Sequence, residues 1–128
     1  MSTLARIYRE SLALLTDLYE ITMVYGYWKS GRSDLEAVFH LYFRTLPFEG
    51  GFAVAAGLAP AVEYLEQLRF TDDDLQYLAG LPGADGSPLF EPEFLRYLGE
   101  MRLECDIDMI PEGTVVFPQE PLVRVRGP

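Results

Sequence analysis

The feature that most constrains this chain is the stretch from Leu12 to Ser30, which is apolar around most of a helix's circumference. Leu14, Leu18, Ile21, Tyr25 and Trp28 recur at helical spacing, and Gly31 supplies a stop. Beside that stripe runs a second one, Leu15, Tyr19, Met23 and Tyr27. A helix on the surface of one small core needs a single apolar face, so the spacing predicts a helix over residues 12–30 with neighbours on two sides.

The next signal has a different period. From Leu35 to Arg44 the residues alternate, with Leu35, Ala37, Phe39, Leu41 and Phe43 on one face and Glu36, Val38, His40, Tyr42 and Arg44 on the other. This pattern predicts a strand with one dry face and one mixed face. Leu46 to Gly51 breaks it, and Phe52 to Ala56 reads as a small-residue strand, paired antiparallel to the first through a Gly50-Gly51 turn. A helix around Ala61 to Leu68 follows.

Thr71 followed by Asp72, Asp73 and Asp74 reads as a cap and acidic first turn for a short helix through Leu78. A Gly/Pro loop spans residues 81–88, and Glu91 to Met101 forms a further helix that starts at Pro92 and turns Phe94, Leu95, Leu98 and Met101 inward. Three short strands close the chain, at Cys105 to Ile110, Thr114 to Phe117 and Leu122 to Arg126, with turns at Pro111-Glu112-Gly113 and Pro118 to Pro121. The fold class is therefore α+β, with short, mostly antiparallel strands packed against helices in a single domain, residues 1–128. The last strand reads as an uncovered sheet edge, a hint that the chain is truncated.

Charge limits the partners. Ten Lys and Arg against twenty Asp and Glu leave a net charge of −10, which repels nucleic acid and anionic membranes. The single Cys105 cannot close an internal disulfide, and no Cys/His cluster has metal-ligand spacing, so a cytoplasmic, metal-free chain is expected. Arg6 and Arg9 precede an apolar run too short for a signal peptide or a membrane span.

Several residues invite chemistry, each with a plainer alternative. Asp17 with Glu20 three residues on fits a capping box, which leaves Tyr19 as a core aromatic. His40, Tyr42 and Arg44 could offer an imidazole, a phenol and a guanidinium to an anion, or be the polar tips of a half-buried sheet face. Arg124 and Arg126 leave the same face of the last strand, either to meet a phosphate or an acidic partner or simply to be exposed. Glu49-Gly50-Gly51 matches no phosphate-binding loop and reads as a turn. Acidic neighbours Glu104 and Asp106 disfavour a reactive thiolate at Cys105.

Three stretches carry a resemblance: Leu15-Thr16-Asp17-Leu18-Tyr19-Glu20-Ile21-Thr22-Met23; Phe39 to Arg44 with Pro47 to Gly51 and Ala55 to Leu58; and Pro111-Glu112-Gly113 through Phe117 and Glu120-Pro121 to Pro128. In this order they resemble the N-terminal region of the nicotinate phosphoribosyltransferases. The resemblance implies the N-terminal α/β domain of a type II phosphoribosyltransferase, stopping before the barrel that carries the catalytic residues. For the complete enzyme it implies transfer of a phosphoribosyl group from phosphoribosyl pyrophosphate to nicotinate, with ATP and Mg2+, in NAD salvage. It implies no cofactor bound by this chain, no catalytic residue in it, and an isolated chain without activity.

Residue by residue, Tyr19 matches the tyrosine that stacks on the pyridine ring, reaching into a neighbouring subunit's site in a homodimer. Asp17 matches the acidic residue beside that tyrosine, and Arg44 the arginine of the Phe-Tyr-Phe-Arg type of stretch. Tyr19, Asp17 and Arg44 are thus the substrate-binding candidates, and pairing with a barrel domain or a second copy is expected. The alternative is a dimerisation or interaction module derived from such an enzyme, without a catalytic part.

Overall fold

A computed structural model describes residues 11–128, so Arg6 and Arg9 lie outside the described residues. The described residues divide into two compact units, 11–34 with 63–103, and 35–62 with 104–128.

In the first unit, helix α1 spans Leu18–Lys29. It starts six residues later than the periodicity predicts, after a turn through residues 13–16. Asp17 occupies the N-cap position with extended backbone, but its side chain makes no capping hydrogen bond. The capping box expected from Asp17 and Glu20 is therefore not formed. At the other end Gly31 adopts φ 66°, a left-handed conformation that glycine reaches without a Cβ clash, and its N–H donates to the Trp28 carbonyl.

Helix α1 buries Ile21 and packs Val24, Tyr25 and Trp28 against the core. Leu18, assigned to the inward stripe by spacing, is instead half exposed. It sits in the first helical turn.

The other helices of this unit are α3 (Asp72–Ala79) and α4 (Pro92–Glu100); α2 (Leu58–Gln67) begins in the second unit and ends in the first. Thr71 caps α3 as its sequence predicts. Its hydroxyl accepts from the Asp74 N–H at 3.3 Å, and the Asp74 carboxylate accepts from the Thr71 N–H at 2.7 Å. Pro92 opens α4 where its missing N–H costs nothing. Leu78 from α3, Phe94 and Leu98 from α4, and Phe90 from the segment before α4 are sealed from solvent beside Ile21.

This core is aromatic. The Phe94 ring lies 4.9 Å from Tyr25, 5.5 Å from Trp28 and 5.4 Å from Phe90, and Tyr25 meets Phe90 edge-on at 5.6 Å. Such pairs add about 0.5–1.5 kcal/mol each beyond the area they bury. At its rim Lys29 bonds to Glu91 and stands over the Tyr25 ring.

The second unit is a sheet of β1 (Ala37–Leu41), β5 (Val123–Gly127) and β3 (Asp106–Met109), in the order β1-β5-β3, with a two-stranded ribbon of β2 (Ala53–Val54) and β4 (Val115–Val116). All the pairings are antiparallel. The expected hairpin between β1 and β2 is not formed. The connection is no tight two-residue turn: it holds a 3-10 turn at Pro47–Glu49 with Phe48 and Glu49 at φ 58° and 52°. Left-handed backbone at these two residues costs of order 1–3 kcal/mol each. β1 instead pairs with β5, over eighty positions away in sequence, with Phe39 opposite Val125 and Leu41 opposite Val123.

β5 is consequently the central strand, and the expectation that it forms an open edge is overturned. The edges are β1 and β3. Gly127 is required by close packing, since a Cβ there would lie 2.9 Å from the Cys105 Cα. The dry face expected for the strand at Leu35 to Arg44 is not dry either, because Phe39 is 66% exposed and Leu41 61%. Alternation shows that the two faces differ in polarity. Burial requires a second layer, and the sheet's own unit supplies none over Phe39 and Leu41, while Val123, Val125, Ile107 and Met109 are half-buried.

Candidate functional site

Asp17 and Tyr19 come together at the start of α1. The Tyr19 ring is 59% exposed, so it is not the core aromatic that the plainer alternative requires. The reason is geometric: Ile21, Val24, Tyr25 and Trp28 take the inward arc of α1, which leaves Tyr19 on the opposite arc. Leu15, Tyr19, Met23 and Tyr27 follow one another at intervals of four, and all four are exposed. The second stripe expected from the sequence is present, and the first unit does not bury it.

Asp17 adds an exposed carboxylate with no capping bond of its own. Glu20 donates its N–H to the Asp17 carbonyl at 3.0 Å, and Thr22 donates its hydroxyl to the Tyr19 carbonyl at 2.9 Å. The backbone around Tyr19 is held by these bonds while its ring stays free. An exposed phenol ring on a fixed helix turn is suited to stacking on another flat ring.

Arg44 lies in the second unit, in the bend that follows β1, with its side chain exposed. The row predicted for His40, Tyr42 and Arg44 is not continued past His40, because β1 ends at Leu41 and the alternating geometry ends with it. His40 is opposite Arg124 in the sheet register.

Arg124 and Arg126 are engaged within the sheet. Arg124 Nη2 lies 2.7 Å from Asp108 Oδ2, and Arg126 Nη2 lies 3.0 Å from Glu36 Oε1. Each guanidinium is matched by a carboxylate on the same polar face, which leaves neither as a free phosphate clamp. Cys105 is half-buried, with its thiol 3.7 Å from the Pro128 carbonyl.

One residue with a definite role reads in the sequence only as part of a turn. The Glu112 carboxylate accepts from the N–H groups of Gly57 at 2.9 Å, Leu58 at 2.7 Å and Ala59 at 3.4 Å. It thereby closes the N-terminus of α2 from 53 to 55 positions away. A glutamate between a proline and a glycine is the only local signal, and it does not point to the helix that the side chain caps.

A helical unit with an aromatic core and small antiparallel sheets define a mixed α+β domain. Residues 14–128 match the family model described as the nicotinate phosphoribosyltransferase (NAPRTase) N-terminal domain. The chain belongs to this family.

Among its relatives, the nicotinate phosphoribosyltransferase of Mycobacterium tuberculosis is 47% identical over 116 residues, 91% of this chain and 24% of the relative. That of Homo sapiens is 46% identical over 115 residues, covering 90% and 21%. The fold matches the crystal structure of human nicotinic acid phosphoribosyltransferase with a TM-score of 0.76 at 44% identity, covering 90% of this chain and 22% of that one. The chain thus spans about a fifth to a quarter of the length of the relatives it matches.

Proposed function

We propose that this chain serves as the N-terminal domain of a nicotinate phosphoribosyltransferase and contributes Tyr19 to a composite nicotinate site. The observation that carries this reading is the exposed Tyr19 ring on a helix whose opposite arc is fully used in the core. In the complete enzyme Tyr19 stacks on the pyridine ring of nicotinate, Asp17 orients polar groups beside it, and Arg44 is a third substrate-binding candidate. The reaction joins nicotinate to phosphoribosyl pyrophosphate and releases pyrophosphate, in the cytoplasm. The site is completed by a barrel portion or by a second copy in a homodimer.

No group of three or more His, Cys, Asp or Glu side chains among the described residues is placed to hold a metal ion. In this reading Mg2+ and ATP are bound by the rest of the enzyme. Among the described residues no helix is long and apolar enough to cross a membrane.

The test is a phosphoribosyl transfer assay with nicotinate, phosphoribosyl pyrophosphate, Mg2+ and ATP. It is run on this chain alone and on a chimaera in which residues 14–128 replace the matching segment of the Mycobacterium tuberculosis relative. The chain alone shows no turnover and the chimaera is active. Tyr19→Ala raises its KM for nicotinate at least tenfold, whereas Tyr19→Phe, which keeps the ring, leaves it within threefold. An unchanged KM in Tyr19→Ala would assign the chain to a dimerisation or interaction role instead.

A further inference from the structure

Tyr19 has one neighbour on α1 that the core of its unit does not account for. Met23 follows it by four residues within Leu18–Lys29, so the two stand on the same arc of the helix with Cβ atoms about 5–6 Å apart. Long side chains on a helix lean toward its N-terminus, which lays the Met23 thioether over the turn that carries Tyr19. Met23 is 50% exposed, and the α1 side chains that serve the core, Ile21, Val24, Tyr25 and Trp28, leave it out.

The positions around it are committed or bare. Thr22, the other neighbour one turn on from Tyr19, turns its hydroxyl back to the Tyr19 carbonyl at 2.9 Å. Gly26, three residues beyond Met23, carries no side chain that could cover the thioether, and a Cβ there would meet no neighbouring atom within 4 Å among the described residues. Glycine inside a helix is destabilising relative to alanine, and no contact in the described chain requires it at this position. The surface beside Tyr19 is therefore a thioether with open space on its far side.

A thioether suits one kind of neighbour. It is apolar and polarisable, adapts through three rotatable bonds, and makes favourable contacts at the edge of aromatic rings. A flat heteroaromatic ring stacked on the Tyr19 face presents such an edge toward position 23. Sulfur is only a weak acceptor, so the edge it meets is a C–H edge, with the carboxylate and the ring nitrogen of the substrate turned elsewhere.

We propose that Met23 is a second substrate-contacting residue of the nicotinate site, its thioether lying against the C–H edge of the pyridine ring that stacks on Tyr19. The inference rests on the reading of Tyr19 given above and goes beyond it by assigning the edge contact. A thioether neither gives nor takes a proton in this reaction, so Met23 acts on nicotinate binding and on the placement of the ring.

The test uses the chimaera described above with Met23→Ala, Met23→Leu and Met23→Gln. Met23→Ala raises the KM for nicotinate about threefold to tenfold, the loss expected for one sulfur–ring contact, and leaves kcat and the KM for phosphoribosyl pyrophosphate within about twofold. Met23→Leu, which keeps an apolar side chain of similar volume, restores the KM to within about twofold, whereas Met23→Gln, similar in length but polar, does not. An equal rise in both KM values, or a KM for nicotinate that none of the three changes, would overturn the inference.

A second readout does not depend on turnover. Dilute hydrogen peroxide transfers one oxygen atom to a thioether sulfur, giving the sulfoxide and water, and peptide mass spectrometry locates the product. Saturating nicotinate is expected to slow oxidation of Met23 in the chimaera while Met109 in the same molecule is oxidised at an unchanged rate. A Met23 rate indifferent to nicotinate refutes the contact. If Tyr19→Ala raises the KM for nicotinate and Met23→Ala does not, the nicotinate reading stands and this inference alone fails; if Tyr19→Ala leaves the KM unchanged, the reading beneath it fails as well.

Discussion

The Glu112 carboxylate accepts a hydrogen bond from the Leu58 N–H at 2.7 Å and so joins the turn before β4 to the first residue of α2. The same oxygen also accepts from Gly57, whose φ of 96° aims its N–H at the carboxylate ahead of the helix. Glu112→Ala removes an acceptor shared by three N–H groups. Loss of a helix cap typically costs about 1 kcal/mol, and a charged acceptor lies toward the upper part of that range. The expected outcome is a lower midpoint in urea unfolding with an unchanged slope. Glu112→Gln, which keeps one oxygen acceptor, recovers part of the loss.

Phe94 is fully buried at the centre of the aromatic cluster, in contact distance of Tyr25, Trp28 and Phe90. Phe94→Ala loses the transfer energy of the ring and leaves a cavity among stiff neighbours. The destabilisation is about 3–5 kcal/mol. Denaturant unfolding followed by Trp28 fluorescence reads it directly, since the indole faces the vacated space. Phe94→Leu, which refills most of the volume, should cost less than half as much.

The hydrogen bond from Lys29 holds the Glu91 carboxyl below its ordinary value of 4.5, and Glu91 in turn holds the Lys29 ammonium above 10.5. Because the folded-state value of Glu91 is the lower one, its stabilisation is present above pH 4.5 and is lost as pH falls through the folded value. For Lys29 the sign reverses, and its contribution is complete below pH 10.5 and fades as pH rises beyond it. Both groups are exposed, so the effect is small and screened by salt. Glu91→Gln should flatten the acid limb of the stability profile at low ionic strength, and 1 M salt should remove the difference from the parent chain.

Tyr19→Ala offers a contrast with Phe94→Ala on the same bundle of helices. Its ring is mostly exposed, and substitutions at such positions usually stay within about 0.5 kcal/mol. Thermal unfolding of the 128-residue chain should hardly change. A large loss of stability would mean that Tyr19 supports the core rather than a ligand.

The two stripes of α1 are legible in the amino-acid sequence alone, because a helix has a fixed period and seventeen aromatic residues in 128 leave few alternatives for burial. The Thr71 cap is legible for the same local reason: both halves of the box lie within three residues of each other. Asp17 shows the limit of that logic, since the right spacing produces the cap position without the cap bond. Its carboxylate makes no capping bond, although the local spacing favours one.

The strands are legible as strands and not as a sheet. Period-two alternation marks the region of β1 and the segment of β5, but the partner of a strand is chosen by what the whole chain can bring beside it. Here the left-handed turn at Phe48 and Glu49 accompanies a β1 that leaves its sequence neighbour β2 and pairs with β5 at the far end of the chain. The same long-range choice matches Arg124 to Asp108 and Arg126 to Glu36, which turns two free-looking cations into ion pairs.

What the sequence determined by itself is therefore whatever depends on neighbours a few residues away: the presence of the helices, the Thr71 cap, and the motifs that carry the family resemblance. What only the tertiary structure decided is which apolar faces found a covering layer. Helical period and alternation assign residues to faces. Burial is a property of the second surface that meets each face, and that surface comes from distant parts of the chain. On α1 one stripe met α4 and Phe90 while the other, with Tyr19, stayed exposed, and in the sheet unit Phe39 and Leu41 of β1 stayed exposed.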